Sequence, residues 1–194
     1  MEAIEEASFT CRVGIDFGET IGRIDEDEPL PYAFEMIRHL ICKFGAENNF
    51  IISKAGPDME RRTLDWIDRN DFYSRTGFLQ SNVIFVREYH EKAVVVQANN
   101  INIFIDDSVK VVRSLSLVPS MKRIFWMHAK ARDILLISKE CRHRIAIVHG
   151  WNRTMKYFQK IKSNEDKTCR LEEPPSNYGR GTKLDASRYK AKLR

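Results

Sequence analysis

The sequence predicts an α/β fold, a three-layer sandwich on a mostly parallel sheet, and three observations carry that expectation. Short runs rich in β-branched and aromatic residues alternate at least four times with stretches whose apolar residues recur at helical spacing. The strand-like runs are nearly continuous in apolar residues, as strands covered on both faces are. Three of them end in polar residues where the chain turns, the punctuation of strands that stop in loops.

Taken in order, Cys11 to Phe17 is the first strand-like run; it contains Asp16 near its end, with Gly18 and Gly22 in the loop beyond. Pro29 and Pro31 open a helix over 32–44, where Phe34, Ile37, Leu40, Ile41 and Phe44 recur at helical spacing and Gly45 stands at the C-terminal cap. Asn49 to Ser53 reads as a second strand stopping before a Gly-Pro turn, and a helix from about Asp58 to Asn70 carries Met59, Leu64, Trp66 and Ile67. Val83 to Arg87 is a third strand, 91–99 a short helix with Lys92 in its first turn, and Ile101 to Ile105 a fourth strand running into Asp106-Asp107. Val109 to Leu117 is expected as helix and Arg123 to Met127 as a fifth strand. Helix formers from Lys130 to Lys162 predict one or two closing helices, with Ile145 to Val148 open to a reading as a short edge strand. Trp66, Trp126 and Trp151 are expected in the core.

With 194 residues, 43% hydrophobic and 30% charged, the chain suits one core with some length left over. Residues 160–194 hold ten Lys/Arg against five Asp/Glu, which accounts for the whole formal charge of +5 and leaves the body neutral. Apolar content collapses after Lys162. The expected organisation is therefore an α/β domain over 1–162 and a basic, disordered tail over 163–194 that offers a contact to nucleic acid or an acidic partner. No apolar run approaches the ~20 residues of a membrane span, and the acidic start is unlike a secretory signal. The expected location is the cytoplasm, with the nucleus left open. The four cysteines have no close pair and the five histidines no ligand-type spacing, so no transition-metal site is expected.

Ligands of open parallel sheets collect at the carboxyl ends of the strands. Asp16, Ser53, Lys92 and the pair Asp106-Asp107 are expected at that edge, and they combine a carboxylate nucleophile, a hydroxyl, a cation and metal-ligating carboxylates. Those are the parts that hold a phosphate beside Mg²⁺. Singly, each reads more readily as a helix cap or a solvated loop residue than as part of a site. The acidic pair is sharper, because adjacent carboxylates after an apolar strand repel unless a cation or basic partner sits there.

In order and spacing these residues resemble the haloacid dehalogenase superfamily and its Rossmann-like fold. Val13-Gly14-Ile15-Asp16-Phe17-Gly18-Glu19-Thr20 is similar to the first motif, an apolar strand followed by DxDxT. Phe50-Ile51-Ile52-Ser53 looks like the second, Lys92 the third, and Ile103-Phe104-Ile105-Asp106-Asp107 the fourth. The resemblance implies that Asp16 is the nucleophile and that Asp16, Asp106 or Asp107, and the Gly18 carbonyl hold Mg²⁺. It further implies that Ser53 donates to a phosphoryl oxygen and that Lys92 neutralises charge.

Gly18 departs from the pattern, standing where the superfamily's phosphatases carry the acid/base Asp. Its loss removes a contribution of typically 10²–10⁴-fold, and Glu19, adjacent rather than two residues from Asp16, is the nearest substitute. A glycine also permits a positive φ that a β-carbon disfavours. The gaps over 21–52 and 54–91 are used up by a helix and a loop, so no cap domain is expected and the site suits a bulky or macromolecular phosphorylated substrate. The expected function is a slow Mg²⁺-dependent phosphatase. Beside it stand a catalytically silent phosphate- or metal-binding module and a nucleic-acid end-processing phosphatase.

Overall fold

The computed structural model describes residues 11–159. The expected basic tail over 163–194 lies outside the described residues. Six strands form one sheet: β1 Val13–Ile15, β2 Asn49–Lys54, β3 Val83–Val86, β4 Ile103–Asp106, β5 Arg123–Met127 and β6 Ile145–Val148. Their order is β3-β2-β1-β4-β5-β6 and every pairing is parallel. Parallel neighbours need crossovers, and helices supply most of them: α1 Ala33–Phe44, α2 Pro57–Arg69, α3 Phe72–Thr76, α4 Glu91–Ala98 and α5 Val109–Ser116, with α6 Trp151–Phe158 closing the described chain. Among the described residues no helix is long and apolar enough to cross a membrane.

The period-two alternation of the strands divides the core into two layers. Ile15, Ile51, Ile105 and Phe125 pack with α1, α2, α3 and α6 through Ile37, Trp66, Phe72 and Phe158. Phe50, Ile52, Phe104 and Ile124 face the other way, onto Val96 of α4 and Val111, Val112 and Leu115 of α5. The fold is thus a three-layer, Rossmann-like α/β sandwich. Its first half winds outward from β1 through β2 to β3, and the chain then crosses back so that β4 pairs with the free side of β1.

Apart from α3, element types agree with the sequence reading through β5, with ends moved by at most two residues. The three tryptophans are buried as expected. Between β5 and β6 the expectation fails, because 131–136 and 139–144 wind as 3₁₀ segments rather than α-helix. The segment packs on the α5 layer through Ile134, Ile137 and Cys141, so tertiary contacts rather than helix propensity set its winding. Ile145–Val148 is the edge strand left open by the sequence, and α6 is a single closing helix. The sequence reading had no counterpart for α3, whose Phe72 joins Phe34, Tyr73 and Phe78 in an aromatic cluster.

The loop after β1 is braced by α2. Trp66 Nε1 donates to the Glu26 carbonyl at 2.7 Å, and its ring covers Gly22, where a β-carbon would stand 2.6 Å from the indole. Gly22→Ala is therefore expected to overpack the contact and lower stability by about 1–3 kcal/mol, read as the midpoint of urea unfolding. An unchanged midpoint would show that the loop yields freely.

Candidate functional site

The winding of the chain reverses between β1 and β4, and in open α/β sheets the crevice beyond the carboxyl ends of such strands is where ligands bind. Asp16 follows β1 and Asp106 ends β4, so both stand at this switch point. The Asp16 amide donates to the Ile105 carbonyl at 2.9 Å and carries the ladder one residue further. From α4, Lys92 reaches both carboxylates: Nζ is 2.7 Å from Asp16 Oδ1 and 2.8 Å from Asp106 Oδ2. Lys92 is 1% exposed and Asp106 fully enclosed, whereas Asp16 keeps part of its carboxylate open.

Neighbouring groups fix these positions. The Ser108 amide, leading into α5, donates to Asp106 Oδ1 at 2.8 Å. Trp126, directly opposite Asp106 in the register of β4 with β5, donates its indole N–H to the Asp107 carbonyl at 2.9 Å. Oxygens of Asp16, Asp106 and Asp107 all lie within 4.8 Å of one another. Three ionised carboxylates against one ammonium leave a negative excess in a buried place, which calls for a cation or for protons. Burial first, and then the charge of Asp16, push Asp106 up to about 8 and Asp107 up to about 6. Burial would lower Lys92, but Asp16 and Asp106 outweigh it and hold the ammonium charged above its usual value.

The all-oxygen donor set and its spacing suit a hard divalent cation, whose ligand oxygens stand up to ~4–5 Å apart across the metal. Both carboxyls titrate above their usual ~3.9. Raised acids contribute stability that is complete below that value and is lost as pH rises through about 6 and about 8. A bound cation favours the ionised forms, so added Mg²⁺ should raise the melting temperature more at pH 8 than at pH 6. Equal shifts at both pH values, or none, would argue against a cation on this cluster.

The other singled-out residues fall at the same edge with different relations to this cluster. Ser53 lies at the end of β2, beside β1, and is nearly buried. Its hydroxyl donates no hydrogen bond among the described residues, and strand alternation aims it with Ile51 toward the α1 layer rather than toward Lys92. Gly18 sits two residues beyond Asp16. Contrary to the conformational freedom allowed for in the sequence reading, its φ is not in the left-handed region, and a β-carbon there would meet nothing within 4 Å. Glu19 does adopt a left-handed backbone, at φ 53°, and its exposed carboxylate pairs with Arg23 at 2.8 Å. The stretches 21–52 and 54–91 are filled by α1, α2, α3, β2 and β3, with no inserted domain.

Sequence reasoning missed a second group at this edge. Lys54 Nζ stands 5.3 Å and Lys110 Nζ 5.2 Å from the centre of the Tyr89 ring. Each is a near neighbour in sequence of a site residue, Ser53, Asp107 and Lys92 respectively for Lys54, Lys110 and Tyr89, but only the fold brings them together. Sheet order and site define a Rossmann-like α/β protein whose acidic cluster could hold a metal ion. No protein-family model matches the chain, and no curated protein matches it. Among solved structures, the solution NMR structure of a de novo designed Rossmann 3x3 fold protein is similar. It is 13% identical, with 77% of this chain and 93% of that chain covered and a TM-score of 0.45.

Proposed function

We propose that the chain is a divalent-cation-dependent phosphohydrolase of the haloacid dehalogenase type, with Asp16 as nucleophile. One observation carries the reading: a buried Lys92 bridges Asp16 and Asp106 at the switch point, with Asp107 beside them. A structural ion pair needs one carboxylate per lysine. Here the excess of acid is enclosed where ligands of such sheets bind, and Asp16 alone of the bridged pair is partly open.

Lys92 holds Asp16 through Oδ1, and Oδ2 accepts no hydrogen bond among the described residues. In the proposed step an Asp16 oxygen attacks phosphorus, the bond from phosphorus to the ester oxygen breaks, and the phosphoryl group passes to Asp16. Water then cleaves the acyl phosphate, releasing phosphate and restoring the carboxylate. Lys92 offsets charge on Asp16 throughout. Ser53, at the same edge, is the hydroxyl proposed for a phosphoryl oxygen. Asp16, Asp106 or Asp107, and the Gly18 carbonyl are the proposed Mg²⁺ ligands, and the ion would supply charge neutralisation for the incoming phosphate. No side chain at position 18 protonates the leaving oxygen, so turnover is slow and favours esters whose leaving group departs without a proton.

The absence of a side chain at Gly18 and the commitment of Glu19 to Arg23 favour a second reading, a silent phosphate- or metal-binding module. A panel of phosphorylated compounds that includes p-nitrophenyl phosphate, assayed with Mg²⁺ and with EDTA, separates the two. Mg²⁺-dependent release that disappears in Asp16→Asn is the expected result. Binding without release by the intact chain would assign the silent module.

A further inference from the structure

We propose that the outer face of α5 is a docking groove for a polypeptide segment that is acidic next to the phosphoryl group and carries an apolar side chain about three residues further on. The proposal rests on the phosphohydrolase reading for its phosphoryl group and on independent observations for its groove. The Ser108 amide at the head of α5 holds Asp106, so the helix starts at the site itself. Beyond that point Lys110, Arg113, Ser114 and Leu117 follow the i, i+3, i+4, i+7 spacing of one helix face. With Leu136 and Ile137 they line a groove of about 410 Å³.

The groove is polarised. At the end near the site, neither Lys110 nor Arg113 has a carboxylate within 4.0 Å among the described residues, and Lys54 across the Tyr89 ring has none either. At the far end Leu117 is 71% and Leu136 56% exposed, a large apolar surface to leave in water beside a helix end. From Lys110 to Leu117 the helix rises about 10 Å, which an extended peptide covers in about three residues.

Cations followed by leucines match an acidic and then an apolar stretch of polypeptide. A nucleic acid would present phosphates along its whole length and nothing for Leu117 and Leu136. The chain's own segment 160–194 carries ten basic against five acidic residues, so it meets Lys110 and Arg113 with like charge. The exposed acids of a second copy in the loop after β1 are already engaged, Glu19 and Glu26 by Arg23 and Asp25 by Arg62.

The test is fluorescence anisotropy on the full chain as Asp16→Asn in Mg²⁺. Its probe is a labelled peptide in which phosphoserine is followed by two glutamates and, three residues beyond the second, a leucine. Saturable binding is expected, weakened at least tenfold by Lys110→Glu/Arg113→Glu, at least threefold by Leu117→Asp, and by replacing the probe's leucine with serine. All three positions are exposed, so the variants should fold, and circular dichroism checks that they do. Equal binding by all variants overturns the groove, as does tighter binding of a single-stranded oligonucleotide that ignores Leu117→Asp. A complex whose stoichiometry follows self-association in sedimentation assigns the face to a second copy and overturns it too. Phosphate release by the unmutated chain is measured separately: peptide binding without release retains the groove and ends the phosphohydrolase reading, and release with variant-insensitive binding does the reverse.

Discussion

Gly18→Asp is expected to raise hydrolysis of an alkyl phosphate ester at least tenfold, within the range general acid catalysis contributes. A β-carbon at Gly18 meets nothing within 4 Å and the backbone there is not left-handed, so the variant should fold without strain. The new carboxyl would stand two residues from Asp16, near a cluster where burial and the Asp16 charge already push Asp106 and Asp107 up. The same negative charge should push it in the same direction, which favours protonation of a leaving oxygen. The gain should be large for poor leaving groups and small for p-nitrophenolate. Asp16→Asn in the Gly18→Asp background should remove it. A folded, Mg²⁺-binding Gly18→Asp protein that stays inert toward alkyl and aryl phosphates alike would transfer the case to the silent module.

How far the site was legible follows from where its specificity is encoded. Asp16 and the Asp106-Asp107 pair could be read because they close apolar runs, and a parallel sheet gathers its strand ends at one edge. That β1 and β4 are neighbours could not be read, since strand order rests on crossovers rather than on local pattern. Lys92 was placed by its position on a short helix after the third strand, and the fold supplies what the sequence lacked: α4, packed beside β2 and α5, brings one ammonium within reach of both acids. For Ser53 the local pattern fixes the edge but not the face. It occupies the anticipated edge, yet strand alternation decides which layer a side chain enters, and it joins no hydrogen bond with Asp16 or Lys92. Of the one or two closing helices expected over 130–162, α6 forms and the segment before β6 winds as 3₁₀, because helix propensity is a weak prior that tertiary packing overrides. Lys54, Tyr89 and Lys110 carry no joint signal, since they lie on three elements that only tertiary structure assembles.

Lys92→Met should cost about 3–5 kcal/mol of stability at pH 8, because it removes the cation between an enclosed and a largely buried carboxylate while keeping most of the side chain's volume. The protein's way out is to protonate the acids. At 1.36 kcal/mol per pH unit, neutralising a carboxyl of ordinary pKa near 3.9 costs roughly 5–6 kcal/mol at pH 8 but only about 1.5 kcal/mol at pH 5. The penalty of the substitution should accordingly shrink to about 1–2 kcal/mol at pH 5. In the unmutated protein, by contrast, the ammonium stays charged at both pH values and offsets the acids wherever they ionise. Urea unfolding of both proteins at the two pH values measures the difference, and Mg²⁺ should restore part of the loss at pH 8 by standing in for the missing charge. A pH-independent penalty would mean that Lys92 matters through the packing of its stem rather than through its charge, and the electrostatic account of the site would fall with it.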